Sequence, residues 1–156
     1  MDSVDKIIWI LPVLAILDVA TTLYVESRGF PLERYEAGFF ASLSVHAGLV
    51  YVYAVIYVLI VIGFSFALWY VKNRLDPSRG FDKLLFVFLV IVTGYTYTTI
   101  SAAFIGNFIL PAAIERRKDW YSIRLVVYGG CILSLAFYLW HEVIFWLRTK
   151  GEENEQ

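Results

Sequence analysis

The chain has 156 residues, 60% of them hydrophobic and only 17% charged, with a formal net charge of −1. A soluble domain is nearer half apolar and a quarter charged, and a near-neutral chain offers no basic face for nucleic acid. Cys131 is the sole cysteine, which excludes an internal disulfide and any cysteine-based zinc or iron–sulfur centre within one chain.

Four apolar runs, about 7–25, 45–71, 84–110 and 125–147, predict four membrane-spanning helices. Each is close to or longer than the roughly 20 residues that cross a bilayer at about 1.5 Å per residue. The expected fold class is therefore all-α: a polytopic membrane protein, 1–156 forming one domain around a four-helix bundle.

The first span follows Met1-Asp2-Ser3-Val4-Asp5-Lys6, which is not net positive. It runs past signal-peptide length and contains Asp18, so it reads as a span. A carboxylate facing lipid there costs about 2.5–3.5 kcal/mol, and intramembrane acids turn inward for that reason. Thr21, Thr22 and Val25 follow Asp18 at spacings of three, four and seven, on one helical face. The connection to the second span mixes Gly29 and Pro31 with Glu33, Arg34, Glu36 and an apolar run, a composition that predicts an interfacial helix over about 31–44. Glu26, Glu33, Glu36 and His46 are metal-ligand types, but Arg28 and Arg34 offer them ordinary ion pairs, so no metal site is assigned.

After the second span, Pro77 and Gly80 mark an aqueous turn. The third span carries Gly94, Thr98, Ala102 and Gly106 at intervals of four, a small-residue stripe that lets helices approach closely in lipid. Asn107 follows, placed either to hydrogen-bond across the bundle or to cap a break before Pro111. The fourth span holds Cys131, read as a packing residue, and His141-Glu142; the second His of an H-E-x-x-H motif is replaced by Phe145. Trp9, Trp69, Tyr70, Trp120 and Trp146 fall near span ends, as an aromatic belt requires. Neither haem nor any other cofactor is expected, because His46 and His141 belong near opposite faces.

An offset of 77 residues pairs Asp5-Lys6 with Asp82-Lys83 and Thr21-Thr22 with Thr98-Thr99, the pattern of two repeated helical hairpins. Under that repeat Tyr95 is the counterpart of Asp18, and Tyr95, Thr98 and Thr99 present hydroxyls at its depth. The candidate polar layer thus comprises Asp18, Thr21, Thr22, Tyr95, Thr98, Thr99 and Asn107.

The stretch Leu17-Asp18-Val19-Ala20-Thr21-Thr22, followed by Gly29 and Glu36, resembles a family of small prokaryotic four-helix membrane proteins of unknown function. Its members carry an intramembrane D-x-x-T-T and a glycine-containing loop ending E-x-N-P. Here the loop reads Glu36-Ala37-Gly38-Phe39, without the closing Asn-Pro. The resemblance implies a helical membrane domain and treats Asp18, Thr21 and Thr22 as a unit; it implies no activity.

Three function classes remain. One binds or conducts a small ion, proton or polar ligand at the layer around Asp18, as a homo-oligomer, because four helices with one polar layer leave little room for a pathway. Another is an accessory or structural subunit of a larger membrane complex. The third is a lipid-modifying enzyme, towards which the sequence leans least: its only ionisable residues within spans are Asp18, His141 and Glu142, and no nucleophile stands beside a base. The expected partner is the lipid bilayer of the cell membrane. The terminal side carries seven Lys or Arg and the other side six, a slight bias to both termini in the cytoplasm.

Overall fold

The computed structural model describes residues 3–29, 48–76, 79–115 and 120–152. They form four helices: α1, Ser3–Ser27; α2, Val50–Lys72; α3, Gly80–Glu115; and α4, Trp120–Glu152. No strand occurs among the described residues. The first half of α2, Val-Tyr-Val-Tyr-Ala-Val-Ile-Tyr-Val, is rich in residues that favour strands in water. In hydrocarbon an open strand leaves its backbone groups unsatisfied, whereas a helix satisfies them all within one segment.

Val4–Ser27, Val50–Lys72 and Gly80–Ile109 are each long and apolar enough to cross a membrane. The expected fourth span lies within the 33-residue α4, whose apolar part among the described residues is Leu125–His141. The protein is thus an all-α bundle of membrane-spanning type. The expected interfacial helix, about 31–44, lies outside the described residues, as do Glu33, Glu36 and His46.

Element boundaries have local causes. Beyond the end of α1, Gly29 takes φ +87°, and its N–H donates to the Glu26 carbonyl at 2.8 Å; glycine reaches this left-handed conformation without a Cβ penalty. Gly48 takes φ +69° just ahead of α2, which starts at Val50 rather than at the expected residue 45. In the turn between α2 and α3, the Asp76 N–H donates to the Asp82 carboxylate at 2.8 Å, tying the turn to the first turn of α3. The break considered before Pro111 does not occur, because α3 continues through it to Glu115.

Helix α1 packs on both α2 and α3, and α4 packs on α3. The inward stripe of α1 is Val4, Ile8, Leu11, Ala15 and Val25, all buried. Steps of four and three connect Val4 to Ala15 and, continued, pass through Asp18 and Thr22 to Val25, the seam of a heptad repeat. The opposite face, with Ile10, Val13, Ile16, Leu17 and Tyr24, is exposed and apolar, as a lipid-facing surface is. The α3 stripe of Gly94, Thr98, Ala102 and Gly106 is buried throughout. A Cβ on Gly94 would press against the side chains of Leu135 and Leu139, so the glycine sets how closely α3 and α4 approach.

The ends of α1 and α2 are joined by polar and aromatic contacts. The Lys72 ammonium donates to the Asp5 carboxylate at 2.6 Å, both side chains nearly buried. One turn further along, Trp9 meets Phe66 edge-on at 6.1 Å and Trp69 at 6.1 Å between ring centroids. These contacts fix the antiparallel register of α1 against α2.

Candidate functional site

Because the α1 seam continues through residue 18, Asp18 and Thr22 lie between α1 and α3 rather than against acyl chains, and Asn107 of α3 meets them there. Its Nδ2 lies 2.8 Å from Thr22 Oγ1, 3.2 Å from Asp18 Oδ1, 3.2 Å from Thr21 Oγ1 and 3.5 Å from the Asp18 carbonyl oxygen. The Thr21 hydroxyl turns back to its own helix, 2.9 Å from the carbonyls of Leu17 and Asp18, which leaves its lone pairs facing Asn107. Asp18, Thr21, Thr22 and Asn107 are all partly buried.

The cluster gathers oxygen around one amide nitrogen. An amide NH2 has two hydrogens to give, and four oxygens converge on it. Residue 111, four positions beyond Asn107, is proline and has no N–H for the Asn107 carbonyl, so α3 releases one more backbone acceptor at this level. Such released groups at membrane depth are found where neighbouring helices, water or ligands satisfy them.

The structure does not bring the other three candidate residues to this layer. Tyr95 precedes Asn107 by twelve residues, about 18 Å along the helix, and is 74% exposed. Thr99 back-bonds to the Tyr95 carbonyl at 2.9 Å. The Thr98 hydroxyl is buried and, among the described residues, has no hydrogen-bond partner. Together with Tyr128 and Trp140, these three line a groove of about 680 Å³ between α3 and α4. A shared depth for Asp18 and Tyr95, expected from the 77-residue offset, is therefore not the spatial arrangement: across the parallel α1–α3 seam the partners are 89 residues apart.

His141 is exposed on α4. The approach of Gly94 to Leu135 and Leu139 sets α4 antiparallel to α3 and places position 141 level with the beginning of α1, roughly 20 Å or more along the axis from Asp18. No acid–base pair with Asp18 forms there.

Sequence reasoning did not find the Lys72–Asp5 pair. Both residues stand as charges at span ends, and an acid opening one span and a lysine closing the next lie at the same end of any helical hairpin. That antiparallel complementarity was the available signal.

Compared with known proteins, the chain matches no family model, no curated protein and no solved structure.

Proposed function

We propose that this protein is an integral protein of the cell membrane that binds a small monovalent cation, sodium-sized or a proton, at the Asp18–Thr21–Thr22–Asn107 layer. The observation that carries the reading is the convergence of four oxygens of α1 on a single amide nitrogen of α3. Hard cations take oxygen ligands, and one carboxylate balances one positive charge. A half-turn of the Asn107 amide exchanges its Nδ2 donor for Oδ1, a fifth oxygen facing the same layer. An intramembrane acid held among hydroxyls is a functional arrangement by default. In this reading both termini face the cytoplasm, on the slight excess of Lys and Arg at that side.

The test is thermal unfolding of the purified protein in a non-ionic detergent, titrated with sodium, lithium or potassium chloride against choline chloride at constant ionic strength, with a parallel proton-uptake measurement. Wild type gains stability with its cation by mass action, about 2.7 kcal/mol at a hundred times Kd. Asp18→Asn stays monodisperse and loses both the cation response and the proton uptake. Identical salt and proton responses in the two proteins end the proposal.

A second reading, an accessory subunit of a membrane complex, draws on the apolar groove between α3 and α4, along which Tyr95, Ile132 and Trp140 are exposed. Its check is purification from native membranes in mild detergent: a stoichiometric partner supports it, and recovery of this chain alone argues against it.

A further inference from the structure

A second, smaller cavity, open along one side, lies on the other flank of α3 and is lined by α1, α3 and α4. Its volume is about 450 Å³, within the range of small-molecule sites. Ile7, Ile10, Ile105 and Leu135 give it apolar walls. Polar groups interrupt them: besides Tyr97 and Ser134, whose hydroxyl donates to the Gly130 carbonyl of its own helix at 2.9 Å, two bear on a ligand. Lys6 stands at one end, exposed and without an ion pair among the described residues, whereas the nearby Lys72 is bound to Asp5. Ser101 lines the interior; it is 7% exposed and its Oγ has no hydrogen-bond partner among the described residues. A buried hydroxyl without a partner costs free energy unless something supplies one.

The register gives the cavity a direction. With Asn107 opposite Asp18, Tyr97 is level with Ile8, Ser101 with Pro12 and Ile105 with Ile16. The cavity therefore runs about 15 Å inward from Lys6, starting where the headgroup layer meets the first turn of α1. Cation at the surface, hydroxyl within and hydrocarbon walls between are the complement of an anionic head, a carbonyl-bearing linkage and an acyl chain.

We propose that this cavity binds an anionic acyl amphiphile, with its head at Lys6 and its chain running past Ser101 towards Ile105. The ligand's source is either an anionic phospholipid, which supplies all three groups, or a free fatty acid, which supplies the head and the chain and leaves Ser101 unpaired. The inference does not depend on cation binding at Asp18, whose residues it does not use.

Cys131 lines the same cavity and is the chain's sole cysteine, so its modification reports occupancy without a competing thiol. The rate of maleimide labelling at Cys131 is to be measured in non-ionic detergent with added phosphatidylglycerol, oleate or phosphatidylcholine. Protection by phosphatidylglycerol alone identifies the phospholipid; protection by oleate identifies the fatty acid; either result supports the site when phosphatidylcholine protects less. Lys6→Gln weakens the protecting amphiphile about fivefold, the worth of one lysine at an anionic surface. Gly130→Leu, where an added Cβ meets nothing within 4 Å, places a side chain in the cavity and abolishes the ligand dependence. Equal protection by phosphatidylcholine, an unchanged response in Lys6→Gln, or no protection by any amphiphile overturns the proposal. Cation-dependent unfolding remains in Lys6→Gln and Gly130→Leu, which separates this test from that of the Asp18 layer.

Discussion

Replacing Asn107 by alanine removes the one side chain of α3 that reaches Asp18, Thr21 and Thr22 together. Its two hydrogens sustain two full hydrogen bonds, best assigned to Thr22 Oγ1 at 2.8 Å and Asp18 Oδ1 at 3.2 Å. Side-chain hydrogen bonds between helices in a bilayer average about 0.6 kcal/mol and reach about 1.7. The bond to the carboxylate belongs at the upper end, because charge strengthens it. The expected cost of Asn107→Ala is therefore about 2 kcal/mol, measured by steric-trap unfolding in bicelles. A double-mutant cycle apportions it. Thr22→Val keeps the shape and removes the hydroxyl, and its coupling to Asn107→Ala is expected near 0.6 kcal/mol or above. Coupling to Thr21→Val is smaller, since the Thr21 hydroxyl already serves the carbonyls of its own helix. A cost below about 0.5 kcal/mol for Asn107→Ala, or no coupling to Thr22, refutes the view that this amide joins the helices.

The Lys72–Asp5 pair gives a contrast between single and double replacement. Asp5→Asn alone takes the carboxylate from a nearly buried ammonium and is expected to cost up to about 3 kcal/mol, while Asp5→Leu with Lys72→Leu costs less than either single change, read by the same unfolding assay. The glycines separate packing from propensity. Gly94→Val drives branched methyls into Leu135 and Leu139 and is expected to destabilise by about 1–3 kcal/mol. Gly63→Ala meets nothing within 4 Å and is expected to stabilise α2 by up to about 1 kcal/mol, so equal effects at the two positions would contradict the packing described.

The helices were legible because the bilayer reduces their prediction to length and hydropathy. Their mutual register was not. The hydrophobic pattern is apolar on all sides over much of α2 and α3, so no face announces itself until polar atoms or small residues break it. Asp18 announced an inward face on α1, and the seam through Val4, Ile8, Leu11 and Ala15 was readable in retrospect at spacings of four and three. The partner of that face was harder. Matching Thr21-Thr22 with Thr98-Thr99 agrees with the helix starts, Ser3 and Gly80, yet depth depends on how far the two helices slide along their seam. α3 is 36 residues long against 25 for α1, and it is shifted so that Asn107 rather than its threonines meets Asp18. Trp9 and Trp69 were read as members of an interfacial belt, and the contact between them requires the hairpin register that Asp5 and Lys72 establish.

The parallel seam between α1 and α3 also has a consequence for biogenesis. Asp18 and Asn107 are 89 residues apart in the chain. At about 5–20 residues per second, the ribosome delivers Asn107 roughly 4–18 seconds after Asp18. During that interval the nascent first helix carries its acid without the amide that later meets it. The acid and the amide therefore meet only after two further helices have emerged, so this contact closes late in the making of the chain.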